Sequence, residues 1–120
     1  LSYRNINLRE ALRAILSDRA IVASASASFP GTEESVFTQF LKLAEKEKIL
    51  PLETAIYKIT GLPAQVLGLK DRGVVRAGYF ADLAIFRDAE IRDVVLNGKI
   101  VVRDGEYQNI LAGKMLKHKE

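Results

Sequence analysis

Apolar positions recur at helical spacing in the first half of the chain and alternate in the second. Leu8, Ala11, Leu12, Ile15 and Leu16 fall at i, i+3, i+4, i+7 and i+8, which predicts a helix from Asn7 to Asp18. Asn7 can cap it, with Glu10 three residues on completing a box-like pair. Ala20-Ile21-Val22-Ala23 is an unbroken apolar run and predicts a short buried strand. Helix, short connection and buried strand together make half of a barrel or doubly wound unit. Ser24 to Ser28 alternates serine and alanine, and either extends the strand or begins a loop. Phe29-Pro30-Gly31 is turn chemistry.

A second helix is predicted from Thr32 to about Lys48. Thr32 is its candidate cap, and Glu33 and Glu34 stand where the helix dipole favours negative charge. Val36, Phe37, Phe40, Leu41 and Ala44 form its apolar stripe. Pro51 breaks the pattern, and a third helix follows from Leu52 to Thr60 with Gly61 as its stop. Pro63 can open a short helix and Gly68 can end it.

Gly73 and Gly78 then punctuate a crossing into strands. Ala81 to Phe86 is almost wholly apolar, as in a strand covered on both faces. Beyond it, Asn97-Gly98 between two β-branched runs predicts a hairpin with a type I′ turn. That register sets Val95 against Ile100 and Val94 against Val101. Arg103-Asp104-Gly105 makes a further turn, and residues from Tyr107 on carry little periodicity.

Composition changes this picture little. With 120 residues, 48% hydrophobic and 28% charged, the chain suits one globular domain or a piece of a larger one. No apolar run approaches the ~20 residues of a membrane span. The start at Leu1 has neither an initiator Met nor a signal-peptide pattern, and is read as a cut or renumbered beginning. There is no cysteine, so disulfides are excluded. The net charge is +3, and Lys114, Lys117 and Lys119 against Glu120 supply most of it, as a solvated basic tail. Neither a basic stripe with interleaved aromatics nor a Gly-rich phosphate loop is present, so no nucleic-acid or membrane partner is expected.

Pro63-Ala64, Leu67-Gly68-Leu69, Lys70-Asp71-Arg72-Gly73 and Gly78-Tyr79-Phe80-Ala81-Asp82-Leu83 together resemble the C-terminal signature of the amidohydrolase superfamily. The Leu-Lys-Asp-Arg-Gly run is most similar to the N-acyl-D-amino-acid deacylases, with looser likeness to dihydroorotases and hydantoinases. The resemblance implies an α/β fold: the C-terminal fragment of a (β/α)8 metal-dependent hydrolase barrel, followed by strands of a small β-sandwich. Residues 1–72 would hold the last barrel strand with flanking helices, 73–107 the sandwich strands, and 108–120 the basic tail. The activity implied is hydrolysis of an amide C–N bond, with zinc as cofactor of the intact enzyme. Asp82 would pin the loop at the start of its strand.

Barrel enzymes react at the C-terminal ends of strands. If Ala20–Ser24 is the last barrel strand, the site lies at Ser24 to Phe29. There the resemblance implies Ser-Asp, with the aspartate taking a proton from water and passing it to the leaving amine. This chain has Ser24-Ala25. Alanine carries no proton, so Ala25 is natural degeneration, an engineered Asp→Ala change, or a one-residue shift of the alignment. Ser24, Ser26 and Ser28 are candidate substrate-binding hydroxyls, or plain loop hydrogen bonders. The one histidine is His118, in the tail, so no metal is expected on this chain alone. The expected partner is the missing N-terminal barrel portion, in cis or as a second chain. A homo-oligomer is also open, because unpaired strand edges invite association. A cytoplasmic location and inactivity of the isolated chain complete the expectation. Its alternative is a non-catalytic structural or assembly module of the same ancestry.

Overall fold

A computed structural model describes residues 8–23 and 35–117. Helix α1 spans Leu8–Leu16 and helix α2 spans Val36–Glu47. The α2 cap is Ser35, not the expected Thr32: its Oγ accepts from the Phe37 N–H at 3.2 Å, and its carbonyl from Gln39 at 3.0 Å. Glu33 and Glu34 lie outside the described residues, as does Asn7. Phe40, Leu41 and Ala44 are buried as the stripe predicts, whereas Val36 and Phe37 at its start stay open. Lys48 ends α2 in the left-handed region, at φ 50°.

Helix α3 (Leu52–Ile59) and helix α4 (Gly61–Val66) meet at Thr60. Gly61 was expected to stop α3, but it is the first residue of α4. The break is carried by Thr60 (φ −130°, ψ −79°). Glycine is needed at 61 for proximity, since a Cβ there would stand 2.7 Å from the Tyr57 ring. At the far end Gly68 takes φ 69°. Its N–H donates to the Gln65 carbonyl at 3.1 Å and the Leu69 N–H to Ala64 at 2.8 Å, a Schellman closure.

Past the crossing, β1 (Leu83–Arg87), β2 (Glu90–Leu96), β3 (Lys99–Arg103) and β4 (Glu106–Tyr107) form one antiparallel sheet in sequence order. Its three turns, Asp88-Ala89, Asn97-Gly98 and Asp104-Gly105, have positive φ at both residues, the twist that two-residue hairpins require. Val95 faces Ile100 as expected, but Val94 faces Val102. A bulge between Val94 and Val95 leaves Val101 as the extra residue, and its side chain is buried. Ile85 on β1 is 51% exposed, so that edge strand is not covered on both faces.

The sheet meets the helices through a turn tip. Ala89 is buried in one cluster with Phe40, Leu41, Ala44, Leu50 and Ala55, and Phe86 packs against it. A methyl fills the core at 89, while Gly98 and Gly105 occupy the second positions of open turns, with nothing near a would-be Cβ. Burial there offsets the roughly 1–2 kcal/mol that a left-handed alanine costs.

A second junction is polar. Arg72, in the crossing, is buried. Its guanidinium pairs with Asp82 Oδ2 and donates to Asn97 Oδ1 at 2.6 Å. The other Asp82 oxygen accepts the Asn97 backbone N–H at 2.7 Å. Asn97 Nδ2 donates to the Ala112 carbonyl at 2.6 Å, and the Phe80 ring lies 4.2 Å from the guanidinium carbon. Asp82 therefore pins the loop, as expected, and pins the hairpin too.

Two stability predictions follow from these contacts. Asp82→Ala strands a buried guanidinium. The carboxylate is 27% exposed, so the loss in urea denaturation should fall near the lower end of the ~3–5 kcal/mol typical of a broken buried pair. At Gly73 (φ 84°) a Cβ would lie 2.4 Å from that of Ala64, while at Gly78 (φ 86°) it meets nothing within 4 Å. Gly73→Ala should therefore cost more, about 2–3 kcal/mol against about 1 kcal/mol for Gly78→Ala, by the same measurement.

Candidate functional site

The candidate site residues Ser24, Ala25, Ser26 and Ser28 lie outside the described residues, as does His118. The segment that leads into them is described. Ala20–Ala23 forms no strand, contrary to the expectation. It does show strand-like alternation: Ala20 and Val22 are half-buried, Ile21 and Ala23 exposed. Val22 packs against the core cluster. A central parallel strand needs a hydrogen-bonded neighbour on each side. The described part of the chain offers none here, so the run keeps its inward face and lacks a ladder.

What holds this segment is Lys58 of α3. Its side chain is buried, at 2% exposure, and Nζ donates to the carbonyls of Ser17 and Ala20, the latter at 3.3 Å. Ser17 follows the last turn of α1, where unpaired carbonyls and the negative end of the helix dipole favour an ammonium group. Lys58 thus ties α1 and the approach to residue 24 onto α3. Lys58 lies outside the apolar stripe of α3, so periodicity alone does not single it out. The available signal was Ala55 three positions earlier on the same face, small enough to leave room for a long stem.

A cleft of about 460 Å³ opens between α2, α3 and the β1–β2 hairpin. Its walls are mostly apolar, with Phe37, Leu41, Ile56 and Phe86 among them. The polar groups at its rim include Glu53, Tyr57, Thr60 and Asp82. Asp82 is committed to Arg72 and Asn97, Tyr57 donates to Gln65 Oε1 at 3.1 Å, and the Thr60 hydroxyl donates to the Ile56 carbonyl at 2.8 Å. Such groups fix conformation, and they do not form an acid–base pair.

Among the described residues no group of three or more His, Cys, Asp or Glu is placed to hold a metal ion. These side chains do not fit a catalytic metal centre, which takes about three protein ligands. No described helix is long and apolar enough to cross a membrane.

Comparison with known proteins matches residues 10–102 to the family model described as "Amidohydrolase family". The D-aminoacylase of Alcaligenes xylosoxydans xylosoxydans is 53% identical over 84 residues, covering 57% of this chain and 17% of that protein. The N-acyl-D-aspartate deacylase of the same organism is 47% identical over 58 residues, covering 48% of this chain and 12% of that protein. A dihydroorotase of Lactobacillus acidophilus is a looser relative, 37% identical over 62 residues, covering 52% of this chain and 15% of that protein. A crystal structure of D-aminoacylase superposes with a TM-score of 0.60 at 34% identity, covering 64% of this chain and 20% of that one. A D-aminoacylase variant in complex with copper chloride gives a TM-score of 0.62 at 34% identity, covering 67% and 20%. Another solved D-aminoacylase is described by its binuclear metal centre. The chain thus spans between 12% and 17% of the length of these curated relatives. The family match extends over most of the chain and includes the Arg72–Asp82 junction and the Asn97 turn, so this chain belongs to the amidohydrolase family.

Proposed function

We propose that this chain is the C-terminal part of a metal-dependent amidohydrolase that cleaves the amide C–N bond of N-acyl-D-amino acids. The observation that carries the reading is the likeness to D-aminoacylase in both sequence and structure. Residues 1–72 then supply the last barrel strand with its flanking helices, 73–107 contribute strands to a small sandwich, and 108–120 form a basic tail. Ala20–Ala23 becomes a laddered strand once neighbouring strands reach Ile21, whose side chain now faces outward. The zinc centre belongs to the barrel portion, in cis or on a partner chain, because the described residues here offer no ligand set.

Position 25 carries the chemical question. An aspartate there would accept a proton from water and return it to the leaving amine, and the Ala25 methyl does neither. Ser24, Ser26 and Ser28 are left to orient substrate. The presence of Ala25 also favours the second reading, a module of this ancestry that assembles but does not turn over.

A chimera separates the two: this chain replaces the matching C-terminal portion of the Alcaligenes D-aminoacylase. Assembly is read as soluble protein with bound zinc, and activity as release of amino acid from N-acyl-D-amino acids. The expected result is assembly without turnover, with Ala25→Asp raising the rate about 10²–10⁴-fold. Efficient hydrolysis with Ala25 in place rules out the inert reading. A zinc-loaded chimera that gains nothing from aspartate removes position 25 from the mechanism.

The 120 residues alone should associate. Val75 is 87% exposed, Leu111 92% and Met115 88%, and among the described residues β1 pairs on one side only, with β2. Light scattering that returns a monodisperse monomer contradicts this.

A further inference from the structure

Asn97-Gly98 is the most chemically labile pair in the chain. In an Asn-Gly sequence the glycine nitrogen can attack the asparagine Cγ. A C–N bond closes a five-membered succinimide and ammonia leaves. Water then opens the ring to aspartate or isoaspartate. The attack needs a free glycine N–H and a carboxamide able to turn towards it.

Here both are held. The Gly98 N–H donates to the Ala81 carbonyl at 3.0 Å. Asn97 Oδ1 accepts from Arg72 at 2.6 Å, Nδ2 donates to Ala112 at 2.6 Å, and the Asn97 N–H is bound to Asp82 at 2.7 Å. Every atom that the reaction must move is a member of the junction that joins the crossing, the hairpin and the C-terminal segment.

We propose that Asn97-Gly98 is a deamidation site kept closed by the Arg72–Asp82 junction, and that its conversion detaches the C-terminal segment at Ala112. The product explains the release. A carboxylate has no N–H for the Ala112 carbonyl, so two acceptors face each other where one donor stood. It also brings a second negative charge beside Asp82. Isoaspartate adds a methylene to the main chain inside a two-residue turn, whose register the sheet depends on. The reaction needs only water, and it rests on these contacts independently of the hydrolase reading.

The test follows the peptide that contains Asn97 by mass spectrometry while the intact 120-residue protein ages at mildly alkaline pH. Conversion proceeds through the opened junction. The folded protein should therefore convert about tenfold or more slowly than the free peptide Asp93–Arg103. Arg72→Gln should move the rate towards that of the peptide. A chain ending at Asn109, which lacks the Ala112 carbonyl, should do so while circular dichroism still reports native secondary structure. Asn97→Asp, as a stand-in for the product, should lower the amide order parameter of Ala112 into the flexible range, below about 0.6. Equal rates in the intact protein and the peptide overturn the proposal, as does a folded truncated chain that converts no faster than the full one. An Ala112 amide as ordered in Asn97→Asp as in the parent protein removes the release step.

Discussion

A single buried guanidinium holds this structure in register. Arg72 lies in a segment without regular structure, yet its planar fork reaches Asp82 ahead of β1 and Asn97 in the β2–β3 turn together. A lysine would present one point charge and could not span both acceptors with fixed geometry. Arg72 is largely shielded from water, so its charge and donors depend on partners within the protein. The Asp82 carboxylate answers the charge and returns a bond to the Asn97 main chain, and the Phe80 ring lies against the guanidinium. The Lys70–Gly73 run and the Gly78–Leu83 run thereby act as two halves of one clamp, closed on a hairpin that neither contains.

Around that clamp the apolar packing is thin. The buried cluster consists of side chains from α2 and α3, the bend between them, and the tip of the β1–β2 turn. No large side chain among the described residues is fully enclosed, while Val66, Val75, Leu111 and Met115 stand open to solvent. Polar fasteners compensate in part: Lys58 binds the end of α1 to α3, and Asn97 binds the C-terminal segment. The relatives that the chain matches are several times longer.

In the proposed reading the chemistry and the scaffold occupy different parts of the chain. The signature stretch builds junctions, with the Asp82 carboxylate committed to Arg72 and Asn97. In that reading the proton-transfer position falls at Ala25, and the segment leading towards it is held by Lys58, 38 residues from Ala20 in sequence. Family membership therefore follows from the scaffold.

Local regularities were open to reading from the residues. The helical stripes, the Schellman glycine at 68, the Asn-Gly turn and the pinning role of Asp82 depend on interactions within a few positions or on backbone preferences intrinsic to one residue type. The α2 cap moved from Thr32 to Ser35, and the bulge moved Val94 from Val101 to Val102, because several hydroxyls and several registers satisfy the same local rules. Burial of Lys58 and convergence of Arg72, Asp82 and Asn97 arise only when distant segments meet, and no spacing in the sequence encodes that meeting. Ala20–Ala23 shows the division most plainly. Its residues dictate an extended apolar segment with an inward Val22, but a strand exists only where neighbouring backbones supply hydrogen bonds, and that is a property of the assembled fold.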